Sequence, residues 1–536
     1  MTKKSSFLFG LIQKHFQQEE ISMEEVAQNP VKEDSWSPKT RFGRFLDRYF
    51  HISERGSSIL KELLGGLVTF LAMFYILPLN GNMLSSDWTG ALQGNTANFR
   101  IFEGVRQILI YGDNWASVDQ VRAAVFAATA ISAAVTTIFM GVYGKLPVGL
   151  ASGLGINSLI AFNVMLSMGF NFAQAMAIVF VDGVLFLIIS ITPLRAWIVR
   201  SIPKSLKFAI SAGIGFFIAF IGLQNIGAIS DGPTLVTLGN FKDPVVLVGL
   251  LGIVLVLILS ALPQKNKALF WINKFSVIIA IVVMGIVCAC LGTAGVGIEG
   301  GKSFSTFYDA SYHISNIGSI SKIFGSCFMG FDVFAQPISY ALVFALLFVD
   351  FFDTTGTLVG VEAGAGMIDR NGNMLVDDKP AMVVDAIGTV AGAICGTTTV
   401  TSFVESTTGV AAGARTGLAS VVTGLLFALS LLIYPGLAMF SCSAATGLAL
   451  VYVGICMFKS LEQLDWKDWV AVASGFITTL FMCVSYSISD GIAMGFITYS
   501  IMTLASGKFK KSDLPVAICS IAFVAIYVVK YAVGLK

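Results

Sequence analysis

The stretch LLFVDFFDTTGTLVGV, residues 346–361, places two aspartates inside a long apolar run. Asp350, Asp353 and Thr357 are spaced i, i+3 and i+7, so a helix would carry them on one face. Ionised carboxylates at membrane depth are costly, and such residues usually mark the path of a substrate or a proton. The stretch therefore predicts a membrane helix with a polar face turned away from lipid.

The remainder of the chain has the composition of a polytopic helical membrane protein. Of its 536 residues, 55% are hydrophobic and 12% are charged, whereas soluble proteins carry about 25% charged residues. Several charge-free runs are long enough, or nearly so, to cross a bilayer as a helix. These runs lie at 123–144, 146–181, 208–230, 416–458 and 491–507.

Two sets of seven apolar segments can be placed along the chain with alternating orientation. The first set lies near 59–80, 123–144, 148–166, 173–193, 207–224, 244–262 and 275–296. The second set lies near 336–360, 381–395, 397–412, 417–435, 443–458, 468–487 and 490–506. Because each half has an odd number of spans, the halves have opposite orientation, which is the condition for an inverted repeat. We therefore predict an all-α polytopic membrane protein of about 14 transmembrane segments in two inverted seven-span repeats.

Basic residues set the predicted topology. Residues 1–61 hold ten Lys and Arg, whereas the connections 81–122 and 297–335 hold three and two. By the positive-inside rule, the N-terminus is cytoplasmic and both connections lie outside. The predicted divisions are a cytoplasmic tail (1–58), the first repeat (59–296), an extracytoplasmic connection (297–335), the second repeat (336–506) and a C-terminal segment (507–536). The apolar run at 514–533 is either an extra span or an interfacial helix.

The third segment of each half does not favour a continuous helix. PVGLASGLGINSLIAF (147–162) crowds proline and glycine together, and CGTTTVTSFVESTTGVAAGAR (395–415) is dense in threonine and glycine. Threonine favours extended backbone, while glycine and proline weaken helices. Small residues can serve close helix packing, but interrupted segments at corresponding positions of two halves point to a transporter's binding site. We predict short extended stretches in segments 3 and 10, with the site beside them.

Glu405, in the tenth segment, is the third candidate acid beside Asp350 and Asp353. Few cations are available to neutralise these carboxylates, and burial without a cation favours the protonated form of a carboxyl group. A protonated carboxyl offers one donor and one acceptor, whereas a carboxylate offers acceptors only. These two states could couple proton binding to the binding of a flat, hydrogen-bonding solute.

Other polar and reactive residues are interpreted as structural. Asp182, Asp385 and Asp490 interrupt apolar runs but lie near predicted ends or turns. The eight cysteines form no CxxC pair and resemble small buried hydrophobic residues. The three histidines lie outside the apolar runs, which excludes a histidine-based metal site or catalytic triad within the membrane. We expect no metal, no cofactor and no enzymatic activity.

Four stretches closely resemble the azaguanine-type adenine/guanine/hypoxanthine permeases, a branch of the nucleobase–cation symporter superfamily that includes the xanthine and uracil permeases. They are FVDFFDTTGTLVGV (348–361), GTTTVTSFVESTTGVAAGARTGLASVVTGLLF (396–427), ASGLGINSLIAF (151–162) and IPKSLKFAISAGIGFFIAFIGLQNIG (202–227). The resemblance runs from near residue 59 to near residue 506.

The resemblance implies fourteen spans arranged as a core domain and a gate domain, and proton-coupled uptake of a purine base. It places the base between the eighth span and elements three and ten. By motif match, the acids of the family fall on Asp350, Asp353 and Glu405, and its asparagine of the third element falls on Asn157. Thr357 stands where the uracil branch has a histidine or an acid. Further hydrogen bonds could come from hydroxyls beside the broken elements, namely Ser158, Thr397, Thr398 and Thr399.

The chemistry of the acids fits a purine. A carboxylate can accept two N–H donors from the edge of guanine, and a protonated acid matches the donor–acceptor edge of adenine. We hypothesise that Asp353 and Glu405 form the substrate clamp and the proton-linked site. Asp350 would tune or share the proton, and Asn157 would orient the third element.

The sequence thus predicts a secondary active transporter that imports adenine, guanine or hypoxanthine by proton symport across the cytoplasmic (inner) membrane. The predicted partners are the base, the proton, the lipid bilayer and a second copy of the chain in a homodimer; no nucleic acid is expected. Sodium coupling and a uracil- or xanthine-type substrate are alternatives.

Three other classes of membrane protein fit the sequence less well. An anion exchanger of the same fold is less favoured, because it would be expected to carry a neutral or basic residue at position 405. An intramembrane aspartyl protease would need two acids on different helices and a GxGD stretch, which the chain does not match. A channel would not require acids that titrate.

Overall fold

The structure of the protein is a computed structural model that describes most of the chain. The described residues are 40–85, 98–102, 105–192, 203–231, 236–263, 269, 272–273, 275–295, 314–367, 378–434, 443–458, 461–462, 464–485 and 488–532. Residues 1–39 of the predicted tail, 297–313 of the predicted connection and the terminal residues 533–536 lie outside the described residues.

Helices dominate the first half, with short strands between them. In chain order the elements are α1 (Arg41–Phe50), α2 (Ile59–Met73), α3 (Ile76–Leu84), β1 (Phe99–Phe102), β2 (Val105–Tyr111), β3 (Asn114–Ser117), α4 (Val118–Phe139), β4 (Leu150–Ser152), α5 (Leu154–Ser158), α6 (Phe172–Ile191), α7 (Lys204–Ile226), β5 (Ile229–Asp231), β6 (Val236–Leu238), α8 (Pro244–Ala261) and α9 (Ser276–Thr293). A π-helical turn extends α4 over Met140–Gly144, and another extends α5 over Leu159–Ser167.

The second half is built in the same way. Its elements are α10 (Ile320–Ile323), α11 (Pro337–Gly364), α12 (Lys379–Cys395), β7 (Val400–Ser402), α13 (Ser406–Ala411), α14 (Gly417–Ser430), α15 (Ser443–Phe458), α16 (Trp469–Val484), α17 (Ile488–Ala505) and α18 (Leu514–Ala532). Short 3-10 helices flank α10 at Ile314–Ser319, Ser326–Met329 and Phe331–Ala335, and one precedes α18 at Lys511–Asp513.

Polar caps fix where several membrane helices begin. Ser117 accepts a hydrogen bond from the backbone N–H of Gln120, whose side chain accepts one from the Ser117 N–H at the start of α4. Asn171 and Gln174 repeat this arrangement at the start of α6. The caps satisfy N–H groups that have no partner within the helix, so a short polar motif sets the boundary of each apolar run.

Eight helical stretches of the described chain are long and apolar enough to cross a membrane. They are Ile59–Leu84, Val118–Gly144, Phe172–Ile191, Phe208–Ile226, Pro244–Ala261, Ile317–Ala335, Pro337–Thr355 and Gly417–Tyr434. Shorter apolar helices occupy other predicted spans, as at Ile279–Thr293 and Trp469–Val484. The polytopic helical class is confirmed, while the count of fourteen spans stays a prediction.

Segments 3 and 10 are interrupted by extended backbone, as predicted. Strands β4 and β7 pair antiparallel, with Leu150 opposite Ser402 and Ser152 opposite Val400. Every residue of both strands is buried. A short helix follows each strand, α5 after β4 and α13 after β7. The broken elements of the two halves therefore meet each other inside the protein.

The helices pack in two groups. The strand group comprises α2–α6 and α11–α14 together with β4 and β7, and the gate group comprises α7–α9 and α15–α17. Most helix contacts lie within a group. The groups meet chiefly where α11 contacts α7 and α17, and where α5 contacts α7. Helix α18 lies against α17 and α11.

Glycines hold the gate group together. Gly215 and Gly222 of α7 lie against Gly454 and Gly447 of α15. A methyl group added at Gly222 would lie 2.9 Å from the Gly447 carbonyl oxygen. Helix association in a membrane depends on van der Waals packing, which small residues permit by letting backbones approach. The α7–α15 crossing is such a contact.

The connections between spans carry structure of their own. Strands β1, β2 and β3 form an antiparallel sheet within the predicted outer connection 81–122. In the connection 297–335, the stretch Ile317–Ala335 is among the eight candidate spans, so its extracytoplasmic position stays a prediction. The C-terminal apolar run is helical as α18, and its position as an extra span or an interfacial helix also stays a prediction.

Candidate functional site

Side chains satisfy the backbone of the β4–β7 pair. The Gly149 N–H donates to the hydroxyl oxygen of Ser406 at 2.9 Å. The Thr137 hydroxyl donates to the Leu150 carbonyl and accepts from the Leu150 N–H, both at 2.9 Å. Extended backbone at membrane depth is tolerated where protein groups bond to it, so these contacts allow the strands to exist there.

Asp385 of α12 is the main support of β7. Its Oδ1 accepts from the backbone N–H and the hydroxyl of Ser402, at 2.7 and 2.5 Å. Its Oδ2 accepts from the hydroxyls of Thr354 and Thr401, at 2.6 and 3.2 Å. A buried carboxylate is tolerated when both oxygens are hydrogen-bonded. Asp385 therefore joins α11, α12 and β7, which agrees with the structural role predicted for it.

Asp353 has a different environment, although Asp385 is near enough for the charges of the two acids to interact. It lies on α11 about one turn after Asp350. It is partly exposed and makes no hydrogen bond within the described part of the chain. The charge of Glu405 also acts on it. A carboxyl group in this state is available to bind a solute.

Glu405 is held by a tyrosine that the sequence analysis missed. The Tyr75 hydroxyl donates to Glu405 Oε1 at 2.7 Å. Glu405 directly precedes α13 and is partly exposed, whereas Tyr75 is buried. The bond fixes one oxygen of the acid, so the first membrane segment contributes directly to the site.

Tyr75 lies where the predicted first span, 59–80, is broken between α2 and α3. Pro78 has no N–H to donate to the Phe74 carbonyl, and a proline ring clashes with the carbonyl four residues before it. The Leu77 N–H bonds that carbonyl instead, at 3.3 Å. Pro78 inside an apolar run was the signal that could have located the break, and with it Tyr75.

Asn157 connects the two broken elements. Its Oδ1 accepts from the hydroxyls of Ser152 and Thr398, which lie 2.6 Å from each other. Ser152 belongs to β4, and Thr398 precedes β7. The Asn157 Nδ2 is buried and has no partner among the described residues. These contacts agree with the orienting role of Asn157, which stays a prediction.

A second amide, also missed from the sequence, reaches the same cluster from α3. The Asn80 Nδ2 donates to the hydroxyls of Thr129 and Thr397, both at 2.7 Å. Thr129 and Thr397 lie 3.0 Å apart. Asn80 therefore ties α3 to α4 and to the segment that leads into β7.

The other hydroxyls predicted for the site differ in their hydrogen-bond partners and in their burial. The Ser158 hydroxyl donates to the Leu154 carbonyl in its own helix, at 2.9 Å. Thr399 Oγ1 is buried and without a partner among the described residues. Thr357 is 6% exposed and lies about one turn beyond Asp353 on α11.

Asp350 is fully buried on the same helix. Its Oδ2 accepts from the hydroxyl of Thr389 in α12, at 2.8 Å. Its Oδ1 is buried and has no partner among the described residues. Asp350 therefore lies deeper in the strand group than the partly exposed Asp353.

A known protein family matches most of this chain, including its broken elements and acids. The profile of the Permease family, which covers xanthine/uracil-type permeases, matches residues 107–494. The chain belongs to this family. The matched residues include β4, β7, Asp353 and Glu405, while Tyr75 lies before them. Members of this family are permeases, so the protein is a membrane transporter.

Two characterised relatives of this permease are similar over nearly their whole length. It is 33% identical to the adenine permease AdeQ of Escherichia coli K12 over 480 residues, which are 89% of this chain and 95% of that one. It is 35% identical to the guanine/hypoxanthine permease PbuO of Bacillus subtilis over 478 residues, 88% of this chain and 98% of that one. The branch indicated by the sequence motifs is confirmed.

Solved structures extend the likeness to the fold. The transmembrane domain of the cyanobacterial bicarbonate transporter BicA matches this permease with a TM-score of 0.53. The match covers 81% of this chain and 96% of that one, at 12% sequence identity. BicA is a transporter of the inverted-repeat fold. The predicted fold class is therefore confirmed, while the number of spans stays a prediction.

Proposed function

We propose that this permease imports a purine base (adenine, guanine or hypoxanthine) by proton symport. The proposal depends chiefly on the environment of Asp353. It is a partly exposed acid with no hydrogen-bond partner in the described part of the chain, within electrostatic reach of Glu405. The relatives named as adenine and guanine/hypoxanthine permeases support a purine as the solute.

The two acids suit the edge of a purine. An ionised Asp353 can accept two N–H donors of guanine in one plane. Tyr75 occupies one oxygen of Glu405, so Glu405 approaches the base with a fixed orientation. A protonated acid at either position offers the donor–acceptor pair that adenine requires. The same site can therefore bind different purines in different protonation states.

The remaining residues have supporting roles in this proposal. Asn157 orients α5 against the strands, and its unpartnered Nδ2 can donate to the base or to a bound water. Thr399 has a free hydroxyl for the same purpose among the described residues. Thr397 and Thr398 already bond within the protein cluster, so they shape the site rather than contact the base. Ser158 and Thr357 complete its predicted lining.

Transport would follow from movement of the strand group against the gate group. The base-binding acids and both strands belong to the strand group, so they would move together. The contacts between the groups involve few helices, chiefly α11 with α7 and α17 and α5 with α7. A limited interface of this kind favours rigid-body displacement.

The location and the assembly follow the sequence predictions. The permease would lie in the cytoplasmic membrane with its N-terminus inside, because the basic residues concentrate before the first span. A homodimer is the proposed assembly. Sodium coupling and a uracil- or xanthine-type substrate remain alternatives at the same site. An anion is disfavoured as the solute, because Asp353 and Glu405 would repel it when ionised.

Uptake measurements in cells that lack their own nucleobase permeases test the proposal. Labelled adenine, guanine, hypoxanthine, xanthine and uracil are offered with and without a protonophore, and with sodium replaced by potassium. We expect uptake of at least one purine that collapses with the proton gradient and is unchanged without sodium. Uptake of none of these bases, or uptake indifferent to the protonophore, would contradict the proposal.

A further inference from the structure

Two aspartates lie at the middle of two neighbouring helices. Asp182 is the eleventh residue of α6, and Asp350 is the fourteenth residue of α11. Both side chains are 0% exposed. The prediction that Asp182 lies near a helix end was wrong, because the apolar run continues as helix on both sides of it.

The two aspartates lie on helices that pack at a junction of α6, α11 and α12. Gly183, the neighbour of Asp182, brings α6 so near α12 that an added methyl group would lie 2.9 Å from Thr389 Cγ2. The hydroxyl of Thr389 bonds Asp350. The charges of Asp182 and Asp350 act on each other. Nearby, the rings of Phe186 in α6 and Phe351 in α11 lie 6.0 Å apart, which shows that the two helices pack at this level.

Three of the four carboxyl oxygens at this junction lack a donor. Both oxygens of Asp182 and Oδ1 of Asp350 are buried and have no hydrogen-bond partner among the described residues. Asp385, one turn before Thr389 on α12, has donors on both oxygens. Native proteins satisfy most buried polar atoms, so three unsatisfied oxygens at one place indicate that something binds there.

The charges acting on Asp350 include those of Asp182, Asp385 and Asp353, and all three of these groups are acids. Asp332, on a 3-10 helix that packs against α6, bonds Gln174 near the start of α6 and lies away from the junction. No group of three or more His, Cys, Asp or Glu in the described ranges is placed to hold a metal ion.

A shared proton is the simplest group that satisfies two of these three oxygens, one on each acid. Two ionised carboxylates buried with a single donor between them, the Thr389 hydroxyl, would each cost several kcal/mol. When a proton from water forms an O–H bond on one carboxylate, that group becomes a donor to the other, and a carboxyl–carboxylate hydrogen bond replaces the repulsion. Release of the proton to water on the other side restores the pair, so no further reactant is needed.

We propose that Asp182 and Asp350 share one proton and that this carboxyl pair is the site on which the transported proton travels. The role in transport rests on the proposed function, whereas the shared proton does not. Asp350 lies about one turn from Asp353 on α11, and the charges of the two interact. Protonation of the pair lowers the negative charge beside Asp353, so it favours binding of a base by an ionised Asp353.

Infrared spectroscopy of the purified full-length permease tests the shared proton without any substrate. We expect the carbonyl-stretch band of a buried protonated carboxyl group in the unmodified protein. Asp182→Asn and Asp350→Asn should each remove it. Asp119→Asn should leave it unchanged, because Asp119 is an exposed acid paired with Arg122 at 3.0 Å. A band that survives both Asp182→Asn and Asp350→Asn would overturn the proposal.

A second variant keeps the test valid if Asp182→Asn does not fold. Thr389→Val retains both acids but removes the hydroxyl that donates to Asp350. The band should move in this variant, because a hydrogen-bond donor to the pair has been lost. A merely structural role of Thr389 would leave the band in place, and that result would contradict the proposal.

Transport by reconstituted vesicles tests the role of the pair. Asparagine resembles a permanently protonated acid, so Asp182→Asn should still exchange labelled for unlabelled purine. Accumulation driven by a pH gradient should fall until the internal and external concentrations are equal. Asp182→Glu, which restores an acid, should recover accumulation.

The outcomes separate the two proposals. Accumulation by Asp182→Asn at the level of the unmodified protein would overturn the role of the pair in transport. Failure of the unmodified protein to move any purine would contradict the proposed function instead, and the infrared result would then decide the shared proton alone. Accumulation driven by a sodium gradient without a pH gradient would show that sodium is the coupled ion, and this result would contradict the proposal.

Discussion

The strand group and the gate group bury different kinds of side chain. The acids with 0% exposure among the described residues all belong to the strand group, namely Glu62, Asp182, Asp350, Glu362 and Asp385. In the gate helices, the buried polar side chains of the described residues are hydroxyls only, namely Ser276, Ser474, Thr478, Ser500 and Thr503. Acids need donors or protons when buried, whereas a hydroxyl can bond a carbonyl of its own helix.

This difference indicates that the two groups have different roles in transport. The strand group holds its acids with specific partners, such as Ser402 for Asp385 and Tyr75 for Glu405. Its internal geometry must therefore persist while it moves. The gate group packs through glycine and apolar contacts, as between Gly222 and Gly447. A surface without buried charge can slide past its neighbour without breaking ion or hydrogen-bond partnerships.

Removal of the binding acids should give the largest effect on uptake. Asp353→Asn or Glu405→Gln replaces an acceptor by a donor at the base edge, and each lost charge-assisted bond is worth about 1.5–3 kcal/mol. The remaining amide oxygen can still accept one bond, so a bidentate contact with guanine loses one charge-assisted bond and weakens the other. Uptake of micromolar guanine should therefore fall by about 10- to 100-fold. Asp119→Asn is the matched control and should stay near the unmodified level. Normal uptake by either site variant would show that the site is misassigned.

Asp385→Asn should damage the strand group as a structure. The amide leaves at least one of the Ser402 and Thr354 donors without an acceptor, at a cost of about 2–5 kcal/mol. We expect a lower unfolding temperature in detergent and reduced uptake together. The exposed Asp332→Asn, which alters only one bond to Gln174, should leave both unchanged. If Asp385→Asn lowered uptake at unchanged thermal stability, Asp385 would be a binding residue instead.

Tyr75→Phe should have an intermediate effect that is confined to affinity. It removes one hydrogen bond to Glu405, worth about 1.5 kcal/mol, so the apparent KM for the base should rise about tenfold with the maximal rate retained. Tyr143→Phe, at an exposed tyrosine, provides the control. An unchanged KM would mean that Glu405 is oriented without Tyr75.

A change in the gate group should leave the affinity for the base intact. Gly222→Ala forces a methyl group against the Gly447 carbonyl and should cost about 1–3 kcal/mol of stability, as overpacking does. We expect a lower unfolding temperature and slower uptake with an unchanged KM. Gly318→Ala, where an added methyl group meets nothing within 4 Å, should be neutral. A raised KM in Gly222→Ala would show that the gate group also affects the affinity for the base.

Local sequence patterns predicted much of the fold. The predicted span 173–193 is α6, Phe172–Ile191, and the predicted span 244–262 is α8, Pro244–Ala261. The predicted extended stretches are β4 and β7. These features depend on apolar run length and on threonine, glycine and proline content, which are properties of neighbouring residues. The break in the first span was missed because Pro78 was read as part of one continuous run.

Local sequence patterns were sufficient to predict the membrane class, the broken elements and the candidate acids Asp350, Asp353 and Glu405. Which of these acids have hydrogen-bond partners depends on the tertiary structure. Tyr75 and Glu405 are 330 residues apart in the chain, and the helices of Asp182 and Asp350 pack together although no local pattern encodes that contact. Hydropathy reports the solvent that each segment prefers, whereas hydrogen bonding depends on which distant segments pack together. The satisfied Asp385 and the unsatisfied Asp182 look alike in sequence for that reason.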